Sequence, residues 1–173
     1  KPASGSYFLC FGALAPYKRI DLAIDAFRQL ELPLWIGGSG QSSRWLSSLP
    51  SNVKALGQVP KAQLVDLFQN ARALVFPGVE DFGLTPLEVQ ACGRPVIALG
   101  QGGALETVTS ETGVFFGEQT VSSLKRAVER FVSLENTFAP LAARGNAMRF
   151  SVSNFQRGIM SAIESMMNDS ISN

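Results

Sequence analysis

Apolar runs of three to five residues alternate with helical stripes along almost the whole of this 173-residue chain, and that alternation constrains its fold more than any other feature. Tyr7-Phe8-Leu9-Cys10-Phe11 reads as a buried strand, and Ile20, Ala23, Ile24, Phe27 and Leu30 recur at the spacing of one helix face. Leu34-Trp35-Ile36 is a second strand, followed by a helix containing Trp45, Leu46 and Leu49. Val53-Lys54-Ala55-Leu56 is a third strand, after which Leu64, Leu67, Phe68 and Ala71 form a helical stripe. Strands at residues 73–76, 95–99 and 113–116 complete the series, with a helix from about Pro86, a short one at 104–108 and another marked by Leu124, Ala127, Val128 and Phe131. Such alternation predicts an α/β fold: a doubly wound, Rossmann-like parallel sheet of about six strands, covered by helices on both faces and joined by right-handed crossovers. Residues 1–150 form that domain. A further helix is expected at Pro140–Ala147. The stripe of Phe155, Ile159, Ala162, Ile163, Met166 and Met167 lies beyond the last strand and packs on a neighbour, while 168–173 has the composition of a frayed end.

Composition excludes several classes. A hydrophobic content of 46% builds a substantial core, and a net charge of +1 provides no global field for nucleic acid. No apolar stretch approaches the roughly 20 residues that span a bilayer. With no histidine, the Ser-His-Asp triad and most transition-metal sites are absent. Cys10 and Cys92 read as two buried, reduced thiols. The chain begins at Lys1 rather than methionine, which reads as an excised or processed fragment.

Chemistry concentrates in Phe76-Pro77-Gly78-Val79-Glu80-Asp81-Phe82-Gly83-Leu84-Thr85-Pro86-Leu87-Glu88, a strand running through a glycine-containing loop into a helix. Ligands of open α/β sheets bind at the carboxyl ends of strands, where the first turn of the next helix offers unpaired N–H groups and the positive end of a dipole. Thr85-Pro86-Leu87-Glu88 also fits a capping box, with Thr85 at the N-cap and Glu88 at the third position. Both roles stay open for Glu88, whereas Glu80 has no capping role. The N–H groups of Gly83, Leu84 and Thr85 suit phosphate oxygens. Gly12-Ala13-Leu14-Ala15-Pro16-Tyr17-Lys18-Arg19 is a second loop of this kind, and its two cations, facing the same crevice, suit a diphosphate. Gly37-Gly38-Ser39-Gly40 and Gly100-Gln101-Gly102-Gly103 are further glycine-rich turns. The first βα turn carries one glycine where a dinucleotide fingerprint needs three, and no Walker-type loop is present.

Glu80 through Glu88, Phe76-Pro77, Ala91-Cys92-Gly93-Arg94-Pro95-Val96-Ile97-Ala98 and Gly102-Gly103-Ala104-Leu105-Glu106-Thr107-Val108 resemble, in order, the blocks of the group 1 (family four) retaining glycosyltransferases, in the nucleotide-binding C-terminal half of their GT-B fold. The resemblance implies a hexosyltransferase that moves mannose or glucose from GDP-mannose or a UDP-glucose-type donor to a glycan or lipid-linked acceptor, without metal or cofactor. It implies Glu80 and Lys18 as catalytic residues. For the donor it implies Glu88 on the ribose and Gly83, Leu84, Thr85 and Lys18 on the diphosphate, with Phe82, Gly12 and Arg19 nearby and Gln58 and Val59 beside the base. It implies an N-terminal GT-B half against which 151–173 packs, a role in polysaccharide or glycolipid synthesis, and a cytoplasmic place at the inner face of a membrane. Pro16-Tyr17-Lys18-Arg19-Ile20-Asp21 resembles bacterial mannosyltransferase members. One position departs: the family's arginine before the lysine is Ala13 here, for which Arg19 substitutes in part. That departure motivates the alternative of a non-catalytic nucleotide-binding or scaffold domain. An epimerase of the same architecture is disfavoured by the absence of histidine.

Overall fold

The computed structural model describes residues 5–171, with the side chains in that range other than those of 42–44 and 168–171. Six parallel strands form one sheet: β1 (Tyr7–Phe11), β2 (Leu34–Gly37), β3 (Val53–Gly57), β4 (Ala71–Phe76), β5 (Val96–Leu99) and β6 (Gly113–Phe116), in the order β3-β2-β1-β4-β5-β6. The helices are α1 (Ile20–Leu30), α2 (Lys61–Gln69), α3 (Leu84–Ala91), α4 (Ala104–Thr107), α5 (Val121–Leu134), α6 (Pro140–Met148) and α7 (Val152–Ile171). The strand order reverses between β1 and β4, which opens a crevice at their carboxyl ends.

Because side chains alternate across a strand, each central strand feeds two cores. Phe8, Cys10, Val75, Ile97 and Leu99 pack with Phe27 of α1 and Leu124, Val128 and Phe131 of α5. Tyr7, Leu9, Leu74, Phe76, Val96 and Ala98 pack on the opposite face with Phe68 of α2 and Val89 of α3. Phe8 meets Phe27 at 5.2 Å between ring centroids and Phe131 at 5.7 Å, edge on, so one fully buried ring joins β1 to both helices of its face. Truncating any of the three to alanine costs about 3–5 kcal/mol, from lost transfer energy and the void left behind.

Several local expectations are corrected. Residues 41–47 form a 3-10 turn rather than an α-helix, and Leu49 lies beyond it. Ala71 belongs to β4 and not to the α2 stripe, since α2 ends at Gln69 and Asn70 caps it with backbone bonds to Asp66 and Phe68. α3 begins two residues before Pro86. Gly83, at φ 83°, makes the left-handed turn that closes the loop early, so Thr85 and Pro86 fall inside the first turn. A proline is tolerated there because its missing N–H had no partner to lose. Cys10 is buried and donates its thiol to the Val75 carbonyl at 3.3 Å, but Cys92 is only half-buried. The expected fraying of 168–173 falls mostly outside the described side chains, the backbone being helical to Ile171.

Candidate functional site

Lys18 follows β1 and Glu80 follows β4, so the strands on either side of the reversal each deliver one charged side chain to the crevice. The two form an ion pair with side chains 13% and 19% exposed. Lys18 ends a 3-10 turn, Pro16–Lys18, which Pro16 starts with its fixed φ. Its ammonium lies 5.4 Å from the Tyr17 ring centre and 5.8 Å from that of Phe76. Gly12, at φ 138°, has a backbone that favours glycine, and a Cβ there would make only ordinary contact with that ammonium, at 3.9 Å.

Next to this pair, α3 presents its N-terminus. No side chain caps it, since its N-cap is Gly83. The first-turn N–H groups, Leu84 and Thr85 among them, have no partners within the helix, and they carry the positive end of its dipole. Glu88, the fifth residue of α3, makes no capping bond and is exposed. The capping-box reading of Thr85 and Glu88 is thereby overturned, because Gly83 starts the helix too early for either to reach the cap. Phe82 is 39% exposed beside Glu80, and Leu84 is exposed as well.

Arg19, next in the chain to Lys18, has partners of its own. Its backbone is left-handed (φ 52°), and its guanidinium donates to the Asp21 carboxylate at 3.2 Å and 3.3 Å and to the side-chain amide oxygen of Gln119 at 3.4 Å. Gln119 in turn donates to the Pro77 carbonyl at 3.0 Å, tying the end of β6 to the loop after β4. Arg19, expected to replace in part the arginine missing at Ala13, is thus engaged by Asp21 and by Gln119, whose other bond reaches the loop after β4. Ala13 itself is exposed. Gln58 and Val59 lie farther along the edge, in a cleft of about 580 Å³ with Trp35, Leu56, Gln63 and Asp66. Tyr7 and Trp35 stack there at 3.7 Å.

The glycine-rich turns serve close packing between loops. A Cβ on Gly38 would stand 1.8 Å from the Gly12 carbonyl oxygen, and one on Gly40 2.6 Å from that of Leu14. One on Gly78 would stand 2.6 Å from the Tyr17 carbonyl oxygen, and one on Gly103 2.4 Å from Cα of Phe82. The loops after β2, β1, β4 and β5 thus lean on one another in a row, and Gly103 N–H donates to the Glu80 carbonyl at 2.8 Å. Sequence reasoning missed Gln119 and the buried amides of Gln90 and Asn146. The signal for Gln90 was a polar residue inside an otherwise apolar helix face.

Burial pushes the Cys10 thiol up. It does the same to Cys92, whose thiol the Arg144 charge partly offsets and Glu88 raises further. Among the described residues no three His, Cys, Asp or Glu side chains cluster as metal ligands, and no helix is long and apolar enough to cross a membrane.

The family model of group 1 glycosyl transferases matches residues 1–147. A GDP-mannose-dependent monoacylated alpha-(1-6)-phosphatidylinositol monomannoside mannosyltransferase of Corynebacterium glutamicum is 32% identical over 155 residues, covering 80% of this chain and 41% of that protein. The lipopolysaccharide core biosynthesis mannosyltransferase LpsB of Rhizobium meliloti is 29% identical over 179 residues, covering 91% of this chain and 51% of that protein. The crystal structure of Anabaena Alr3699/HepE in complex with UDP superposes with a TM-score of 0.80 at 22% identity, covering 94% of this chain and 50% of that one. The chain spans about half the length of these relatives. A parallel sheet reversing at β1/β4, a charged pair at the reversal and a family match across most of its length place this chain in the group 1 glycosyltransferases, as a Rossmann-like half of the GT-B fold.

Proposed function

We propose that this domain binds the nucleoside-diphosphate sugar of a retaining hexosyltransferase whose acceptor is a glycan or lipid-linked saccharide. The observation that carries the reading is the convergence of Lys18, Glu80 and the uncapped N-terminus of α3 on the crevice between β1 and β4. The diphosphate lies against the Gly83, Leu84 and Thr85 amides and takes the ammonium of Lys18, which the free chain holds on Glu80. Glu80, released, faces the donor sugar, where it holds hydroxyls and its charge stabilises an oxocarbenium-like transition state. Negative charge developing on the departing diphosphate meets a lysine and helix amides already in place, the kind of preorganisation worth about 3–4 kcal/mol per donor in other enzymes. Exposed Glu88, freed of any capping duty, accepts from the ribose hydroxyls. Gln58 and Val59 flank the base, and Phe82 and Gly12 shape the walls. No metal enters this scheme.

The mannosyltransferase relatives favour GDP-mannose as donor, while the UDP-bound structural neighbour keeps UDP-glucose in the test. α7 packs against the other half of the protein through Phe155, Ile159, Ile163, Met166 and Met167, all exposed here. That half brings the acceptor, and the assembled enzyme works at the cytoplasmic face of a membrane. A second reading, a nucleotide-binding domain without catalysis, is favoured by Ala13 together with the engagement of Arg19 by Asp21.

Calorimetric titration with GDP, UDP and ADP in the presence of EDTA tests the proposal. Selective, metal-independent binding of one nucleotide supports it, and silence from all three in the natural gene product refutes it. Binding without turnover of any nucleotide sugar leaves the second reading standing.

A further inference from the structure

We propose that the junction between α6 and α7 positions the Glu80–Gly83 loop, so that where the rest of the protein holds α7 sets the geometry of Glu80. The inference rests on the reading of Glu80 as the donor-sugar carboxylate. Two independent ties carry it. The first is on the surface: Phe150, in the short link between the two helices, meets the Phe82 ring edge-on at 5.7 Å and 70°. Phe82 adjoins Glu80 across one residue and stays 39% exposed.

The second tie is buried. Asn146 of α6 donates from Nδ2 to Gln90 Oε1 at 2.7 Å and to the Thr107 carbonyl at 2.9 Å, while Gln90 donates to the same carbonyl at 2.7 Å. Thr107 Oγ1 donates to the Gly103 carbonyl at 2.9 Å, and Gly103 N–H donates to the Glu80 carbonyl at 2.8 Å. These hydrogen bonds, joined through the covalent frames of Thr107 and Gly103, connect α6 to the main chain of Glu80. Gln90 and Thr107 are fully buried and Asn146 nearly so. Loss of one partner inside such a network leaves another polar group dry, which makes the path stiff.

The junction itself moves as a piece. Phe150 N–H and Ser151 N–H close successive turns onto the Ala147 and Met148 carbonyls at 3.0 Å and 3.1 Å. Asn154, in the first turn of α7, donates to the Met148 carbonyl at 2.7 Å and to that of Arg149 at 3.3 Å. Arg149 donates to Asn146 Oδ1 at 2.9 Å, which aims that amide's donor inward. A shift of α7 is thus handed to both Phe150 and Asn146. Phe150 and Asn146 are positioning residues.

The test compares Phe150→Ala, Phe150→Leu and Phe150→Tyr in the natural gene product, by amide hydrogen exchange of residues 79–84, nucleoside-diphosphate affinity and nucleotide release from the donor sugar. Phe150→Ala speeds exchange there about two- to tenfold, as loss of one aromatic edge contact predicts. It lowers kcat about tenfold and weakens nucleoside-diphosphate binding less, by about threefold at most, because Glu80 and the Gly83 amide are displaced while the Leu84 and Thr85 amides, inside α3, stay. Phe150→Tyr keeps the ring and restores both readouts, and Phe150→Leu, which keeps apolar bulk, stands in should the alanine variant misfold. Unchanged exchange, faster exchange with unchanged kcat, or a tyrosine variant as impaired as alanine overturns the inference. Failure of the unaltered protein to bind any nucleotide refutes the donor reading and not the coupling, which the exchange measurement decides by itself.

Discussion

Gly103→Ala isolates the close packing of loops at the strand ends. Gly103 has φ −61° and ψ −15°, a helical conformation that alanine adopts more readily than glycine, so backbone preference alone favours the change. Space opposes it. The added Cβ would lie 2.4 Å from Cα of Phe82 and 2.5 Å from the carbonyl oxygens of Asp81 and Phe82, where ordinary contact begins at 3.4 Å. All three atoms belong to the main chain and none can swing aside, so the Glu80–Phe82 loop must retreat by about 1 Å. Overpacking of this kind costs about 1–3 kcal/mol. Loss of the Gly103–Glu80 backbone bond adds about 1 kcal/mol, and the backbone gain returns about 0.5 kcal/mol. The expected destabilisation is about 1.5–3.5 kcal/mol, read as a lowered urea midpoint at unchanged slope. Gly145→Ala in α6 is the control: nothing lies within 4 Å of its Cβ, and the same assay reads a gain of about 0.5–1 kcal/mol. A Gly103→Ala variant as stable as the parent refutes the packing argument. The displaced loop also carries Glu80, so turnover falls about a hundredfold if the donor reading holds.

Further outcomes follow from the same geometry. Glu88→Gln leaves the unfolding free energy from urea titration within about 0.5 kcal/mol, because Glu88 caps nothing, and weakens nucleotide binding about tenfold in calorimetry through loss of a charge-assisted bond. Thr120→Ala costs about 1 kcal/mol by denaturant titration, since the Thr120 hydroxyl caps α5 by accepting from Ser123 N–H at 3.2 Å. Burial raises the Cys10 pKa above its unfolded value of 9.0, so the folded chain holds that proton longer than the unfolded one. Stability is undiminished by this group below pH 9 and falls above it, by up to about 1.4 kcal/mol per pH unit. Cys10→Ala removes that share of the slope in pH-dependent unfolding, and an unchanged slope contradicts it.

The fold class was legible because both periodicities are. Runs such as Leu74-Val75-Phe76 are apolar at every position, as a strand buried on two faces must be, and the stripe of Ile20, Ala23, Ile24 and Phe27 repeats at helical spacing. Boundaries failed where one residue's backbone decided them. Gly83 began α3 early, and Asn70 ended α2 just before Ala71, an alanine that suits either element.

Lys18, Glu80, Gly83 and Glu88 could be picked out along the chain because they fall in loops at the carboxyl ends of apolar runs or in the helix turn that follows, where ligands of such sheets bind. Their grouping could not, since Lys18 and Glu80 stand 62 positions apart and meet only because β1 and β4 are neighbours in the sheet. Arg19 is a second case: its pairing with Asp21 is local, but its bond to Gln119, 100 positions on, could not be read from its place beside Lys18. Linear order records which groups a chain owns and the local periods that make strands and helices. Which glycines serve packing, which cation meets Glu80 and which buried amides meet depend on the crossing of loops distant in sequence, and those distances exist only once the sheet has closed.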